Sequence, residues 1–185
     1  MTRTVAIIQA RMGSSRLPGK VLLSLGARSL IETVLYRAGR CQHVDEVVLA
    51  TGEGSENDPL AAAVEAAGWR VFRGPEEDVL HRYALAAAAS NADVIVRLTG
   101  DCPLLDPAVV DALIEFRAAG ELDYATNVKP ETWPDGLDAS VFTRRTLDMA
   151  DREATRRFER EHVVPWMWAA SSLEGASVLR AGNLP

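Results

Sequence analysis

Four short runs rich in β-branched residues, 4–9, 46–51, 70–73 and 93–98, are separated by stretches with helical spacing. A strand that pairs in parallel with its predecessor needs a long crossover, and a helix supplies one, so this alternation narrows the chain to repeated β–α–β units. The helical stretches mark their own ends. Ser29-Leu30-Ile31-Glu32 is a capping-box sequence ahead of Val34, Leu35 and Ala38. Asp58-Pro59 reads as an N-cap with proline in the first turn, and Gly68 is placed to close that helix. Residues 77–90 put Leu80, Tyr83, Ala84 and Ala87 on one face, and Asp106-Pro107 opens a helix striped by Val109, Val110, Leu113 and Ile114. These units imply an α/β fold with a mostly parallel sheet covered on both faces and right-handed crossovers. The later part is less regular. Pro130, Pro134 and Gly136 punctuate a loop over 127–136, Val141-Phe142 belongs to a strand, and a helix follows from about 144. Residues 151–170 form a charged helical stretch broken near Pro165, carrying Trp166 and Trp168.

The length of 185 residues suits a single domain, 1–185, able to bury its own core. The net charge of −6 argues against a general nucleic-acid binder. The first apolar run is too short for a signal peptide or a membrane span, so no membrane partner is expected. Cys41 and Cys102 are far apart and form no C-x-x-C pair, which fits a reducing cytoplasm.

Against this acidic background one segment is strongly basic. Directly after the first strand, Ala10-Arg11-Met12-Gly13-Ser14-Ser15-Arg16-Leu17-Pro18-Gly19-Lys20 gathers three cations, two hydroxyls and two glycines. Such a loop suits a polyphosphate: glycines let backbone N–H groups approach the anion, hydroxyls donate, and the cations offset the charge. The run 93–98 leads straight into Thr99-Gly100-Asp101, and Gly100 is expected to leave room for a nucleotide. If its strand neighbours the first, as is common in doubly wound sheets, Asp101 faces the phosphates held by Arg11, Ser14, Arg16 and Lys20. A lone carboxylate there repels them, and a bridging Mg²⁺ converts repulsion into attraction. Thr51, ending the second strand, lies in the region for base or ribose recognition. Asp78 can cap its helix.

Ile8-Gln9-Ala10-Arg11 through Lys20, Arg73-Gly74 with Asp78-Val79-Leu80-His81-Arg82, and Arg97 through Leu104 together resemble the sugar cytidylyltransferase family, which activates acylneuraminate and 3-deoxy-manno-octulosonate. The match is strongest to its spore-coat-polysaccharide branch and covers essentially the whole chain. The resemblance implies a nucleotide-diphospho-sugar transferase fold, a Rossmann-like three-layer α/β/α sandwich with a mixed, mainly parallel sheet of roughly six or seven strands. It implies Mg²⁺-dependent transfer of CMP from CTP to a sugar or sugar acid, with release of pyrophosphate. In that reading Arg11, Gly13, Ser14, Ser15, Arg16 and Lys20 hold the triphosphate, with Arg16 and Lys20 also catalytic, and Asp101 is a catalytic metal ligand. Thr51, Arg73, Asp78, Arg82, Thr99 and Gly100 lie near the nucleotide. Asn127, Asp135, Asp138, Glu161 and His162 meet the sugar, His162 having the chemistry of a general base. Two alternatives stay open: another nucleotidyltransferase or a nucleotide-sugar glycosyltransferase, and a non-catalytic nucleotide-binding module.

The chain departs from the family pattern at its end. Related enzymes continue with a strand, a Thr-x-Asp-type segment that adds an acidic residue to the metal site, and a helix. The expectation is that this chain lacks them and leaves Asp101 without its usual acidic partner. A sheet edge left uncovered would invite homodimerisation, with Trp166 and Trp168 as interface anchors or as core.

Overall fold

The computed structural model describes residues 2–13 and 17–185. Strand β1 (Thr4–Gln9) is followed by a small antiparallel ribbon of β2 (Ser24–Leu25) and β3 (Arg28–Ser29). Helix α1 (Leu30–Ala38) starts at Ser29, whose side chain accepts from the Glu32 N–H while the Glu32 carboxylate accepts from the Ser29 N–H, completing the capping box. The chain continues through β4 (Glu46–Gly52), α2 (Asp58–Ala66), β5 (Arg70–Gly74), α3 (Val79–Ala89) and β6 (Val94–Thr99). Next come α4 (Pro107–Ala119), β7 (Tyr124–Thr126), β8 (Ser140–Thr143), α5 (Arg144–Glu153), α6 (Arg157–His162), α7 (Pro165–Ala169) and β9 (Ala181–Asn183).

Seven strands make one sheet in the order β5-β4-β1-β6-β8-β7-β9. β8 runs antiparallel to both neighbours, and every other pairing is parallel. The sheet is therefore mixed and mainly parallel, as the alternation demands. The first strand lies between β4 and β6, with Gln9 opposite both Ala50 and Thr99. That register sets the loops after β1 and β6 side by side.

Alternation along each strand divides the core in two. Ala6 and Ile8 face a layer built on α1, α2 and α4, with Ile31, Leu35, Val64 and Leu113 buried against them. Val5 and Ile7 face a layer that includes α3 and α5, with Leu80, Tyr83, Leu147 and Met167. The Tyr83 hydroxyl, wholly buried, donates to the carbonyls of Ile7 and Leu98 and so ties α3 to β1 and β6. Burial pushes that phenol up to about 12, so it stays a neutral donor.

One sequence expectation is corrected here, and one left open is narrowed. Asp58 is not an N-cap. Helix α2 begins at Asp58, its cap is Asn57, and the Asp58 carboxylate accepts instead from Arg73 Nη1 at 2.6 Å. Gly68 does close that helix, at φ +84°, with its N–H and that of Trp69 donating to the Glu65 and Val64 carbonyls. Trp166 and Trp168 pack against the second core layer, and Trp168 Nε1 donates to the Tyr124 hydroxyl at 2.6 Å. Of the two roles left open for these tryptophans, the structure shows packing on the core.

Candidate active site

The carboxyl ends of β1 and β6 open into a cavity of about 470 Å³. Arg11, Gly13 and Lys20 line it from the loop after β1, Thr99, Gly100 and Asp101 from the loop after β6. The basic loop is pinned at both ends. The Gly19 N–H donates to the Met12 carbonyl at 3.0 Å, with Gly19 at φ +70°, and the Met12 N–H donates to Asn57 Oδ1 at 3.0 Å. Ser14, Ser15 and Arg16, also assigned to the phosphates, lie outside the described residues.

Lys20 Nζ donates to Asp101 Oδ2 at 2.7 Å, joining the two loops across the cavity. Burial works against the Asp101 charge, but the Lys20 hydrogen bond and charge outweigh it and hold the carboxyl below the ordinary aspartate range. Asp101 is therefore ionised at neutral pH and can accept a cation. Among the described residues no group of three or more His, Cys, Asp or Glu gathers into a metal cage. One carboxylate beside an anion pocket still matches Mg²⁺, which takes one or two carboxylates and fills its shell with phosphate oxygens and water.

A second cavity of about 860 Å³ adjoins the first. Arg97 and His162 line both cavities. Asp138 lies on the larger one with Glu131, Lys129, Arg156, Trp168 and Glu174. Burial, reinforced by Asp135 and Glu131, pushes the Asp138 carboxyl above its ordinary value, and Arg97 only partly offsets this. Glu161 reaches the smaller cavity from the end of α6.

Several expected contacts fall elsewhere. Thr51 is fully buried and lines neither cavity. Arg73 braces the turn after β4, donating to the carbonyls of Gly52, Glu53 and Gly54. Asp78 caps α3 through the His81 N–H and accepts a two-pronged pair from Arg160. Asn127 is buried, donating to the Leu137 carbonyl and accepting from the Ala139 N–H, so its amide holds the 128–138 loop rather than facing a cavity. Asp135 is on neither cavity wall. Gly100 lines the smaller cavity, and the close approach of the chain at the end of β1 also requires a glycine there: a Cβ would stand 2.7 Å from Ala10 Cβ and 2.8 Å from the Gln9 carbonyl. Arg82 also lines the smaller cavity while donating to the Pro75 and Glu76 carbonyls.

The structure also brings in residues that motif reading passed over. Asn57 and Glu76 are hydrogen-bonded at 2.8 Å, and Glu76 lies 3.9 Å from Arg11, so this pair braces the basic loop from behind. Gly52 permits it, since a Cβ there would overlap the Glu76 carboxylate. Gln9 lines the smaller cavity with its Oε1 buried and unpartnered among the described residues. Two polar side chains in otherwise apolar strands, Gln9 and Arg97, were the available signal.

An open α/β sheet with an anion loop after its first strand and a carboxylate opposite belongs to the class of nucleotide-binding, nucleotidyl-transferring folds. The chain matches the cytidylyltransferase family over residues 5–173 and belongs to that family. It is 35% identical over 194 residues to the spore coat polysaccharide biosynthesis protein SpsF of Bacillus subtilis, covering 98% of this chain and 79% of that protein. It is 34% identical over 200 residues to the 3-deoxy-manno-octulosonate cytidylyltransferase of an Anaeromyxobacter species, covering 100% of this chain and 81% of that enzyme. A solved cytidylyltransferase from Leptospira borgpetersenii superimposes with a TM-score of 0.91 at 34% identity, over 100% of this chain and 76% of that one.

Proposed function

We propose that this cytidylyltransferase moves CMP from CTP to a sugar or sugar acid for surface-polysaccharide synthesis, with release of pyrophosphate and with a divalent cation, most simply Mg²⁺. The observation that carries the reading is the 2.7 Å contact between Lys20 and Asp101 at the mouth of a cavity lined by Arg11, Lys20, Arg82 and Arg97 that adjoins a larger one. The smaller cavity takes the nucleotide and the larger the acceptor. Arg11, Gly13 and Lys20 hold the triphosphate with the loop residues Ser14, Ser15 and Arg16. Asp101 would hold the cation, which when bound offsets charge on the phosphate oxygens. Lys20 would then turn from the carboxylate to the phosphates. Asp138, Glu161 and His162 offer hydrogen bonds to acceptor hydroxyls, and no protein nucleophile is called for. Positioning two substrates in adjoining cavities supplies much of the rate. Cys102 is a packing residue, its thiol pushed up by burial and 3.0 Å from the Thr99 hydroxyl. Two free cysteines fit a cytoplasmic enzyme. No helix among the described residues is long and apolar enough to cross a membrane.

The test is pyrophosphate release from each of the four nucleoside triphosphates, with Mg²⁺ or with a chelator, across a panel of sugars that includes 3-deoxy-manno-octulosonate. Release with CTP alone, dependent on both metal and one acceptor, is the expected result. CTP binding without turnover on any acceptor would make the chain a nucleotide-binding module instead.

A further inference from the structure

We propose that Arg97 is a catalytic residue that stabilises the transferring α-phosphoryl group at the seam between the two cavities. The proposal rests on the functional reading above, with the nucleotide in the smaller cavity and the acceptor in the larger.

Arg97 interrupts an apolar strand, Val94-Ile95-Val96-Arg97-Leu98, in the middle of the sheet. It lies opposite Ile7 of β1 and Ser140 of β8. Its side chain therefore shares the sheet face of Ile95, the face covered by α3. A guanidinium in such a place is costly without an anionic partner. Among the described residues Arg97 has no ion pair and makes no side-chain hydrogen bond, and its Nε is buried without an acceptor. Asp138 lines the larger cavity with it and feels its charge but forms no ion pair with it, and the neighbouring hydroxyls are already engaged. Tyr83 donates to two backbone carbonyls, and Tyr124 is bonded to Ser140 and Trp168. The other cations on the cavity walls are engaged: Lys20 with Asp101, Arg11 with Glu76, Lys129 with Glu174, Arg156 with Glu159, and Arg82 with the Pro75 and Glu76 carbonyls.

Place decides what anion would satisfy it. Arg97 and His162 alone, among the described residues, line both cavities. The phosphorus that exchanges bond partners has to lie where nucleotide and acceptor meet, and that is the same seam. In the transfer an acceptor hydroxyl oxygen bonds to the α-phosphorus as the bond to the bridging α–β oxygen breaks. Pyrophosphate leaves with the electron pair, and the hydroxyl proton passes to water in the open cavity. Charge gathers on the α-phosphoryl oxygens during that exchange. A fixed guanidinium there binds the transition state more strongly than the ground state, which raises kcat rather than CTP affinity.

The experiment compares Arg97→Ala and Arg97→Lys with the wild-type chain, measuring kcat by pyrophosphate release and CTP affinity by calorimetry. The expected result for Arg97→Ala is a kcat lower by at least about 100-fold with CTP affinity changed by less than about threefold, and partial rescue by added guanidinium. Should Arg97→Ala fail to fold, Arg97→Lys, which keeps one charge but not the planar fork, decides by the same split. Near-wild-type kcat, or CTP affinity falling as far as kcat, overturns the assignment while leaving the cytidylyltransfer reading intact. A wild-type chain that releases no pyrophosphate with any acceptor sinks that reading and this assignment with it.

Discussion

Lys20 and Asp101 are 81 positions apart, yet their charged atoms are in hydrogen-bond contact. Both remain open to solvent, with side-chain exposures of 27% and 47%. The contact is therefore worth little to stability. Lys20→Ala should leave folding intact and weaken CTP binding by about 10- to 100-fold, the loss of one charge-assisted contact. Calorimetry checks this beside a circular-dichroism melt, and unchanged affinity would remove Lys20 from the phosphate site. Residue types alone revealed the basic loop and the carboxylate, because their density and their place after strands are unusual. They did not separate Arg82, which reaches the cavity, from Arg73, which braces a turn, since both are arginines in the same motif. Which one faces a ligand depends on backbone carbonyls that only the fold supplies.

Among elements, α6 is the least obvious from sequence and the most consequential. It has six residues and ends at His162, on the seam of the two cavities. Such a short helix is not stable by itself. It is held by Arg160, which donates to Asp78 at the start of α3 and to Asp151 of α5, while His81 Nδ1 lies 2.9 Å from Asp151. Burial disfavours the Asp78 charge, but Arg160 and the His81 N–H outweigh it and hold the carboxyl below its ordinary 3.8. The unfolded chain therefore takes up this proton at a higher pH than the folded one. The stabilisation is complete above 3.8 and is lost as pH falls through the lower folded value. Asp78→Asn keeps a capping side chain but not the charge. It should lower Tm at neutral pH by about 2–4 °C, equivalent to about 1 kcal/mol after solvent screening, and flatten this part of the acid limb. Melts across pH 2–7 measure both, and an unaltered acid limb would refute the linkage. The capping boxes and apolar stripes of the longer helices were legible because they are local. The latch was not, because its partners come from three helices.

For the whole molecule, the sheet order decides the site. Placing β1 between β4 and β6 brings the two functional loops together, and the reversed β8 extends the sheet beneath the larger cavity, which Ser140 lines. A ligand that bridges these loops binds only the folded chain. CTP at about 100 times its Kd should therefore stabilise the protein by about 2.7 kcal/mol and raise Tm by about 5–10 °C, more than the same concentration of ATP or GTP. Thermal-shift measurements with the three nucleotides test this, and an equal response to all would argue against cytosine selectivity.

The sequence by itself determined the layered α/β class, the family, the basic loop after the first strand and the carboxylate after a later one. Each of those is written in residues close together in the chain, through period, capping and local charge density. Tertiary structure alone decided that Asn127 is a loop clamp, that the end of β1 approaches Gly100 closely, and that Arg97 lines two cavities with no ion pair among the described residues. Those facts depend on which distant groups satisfy a side chain, and hydrogen bonds and burial across a sheet leave no periodic trace in the order of residues.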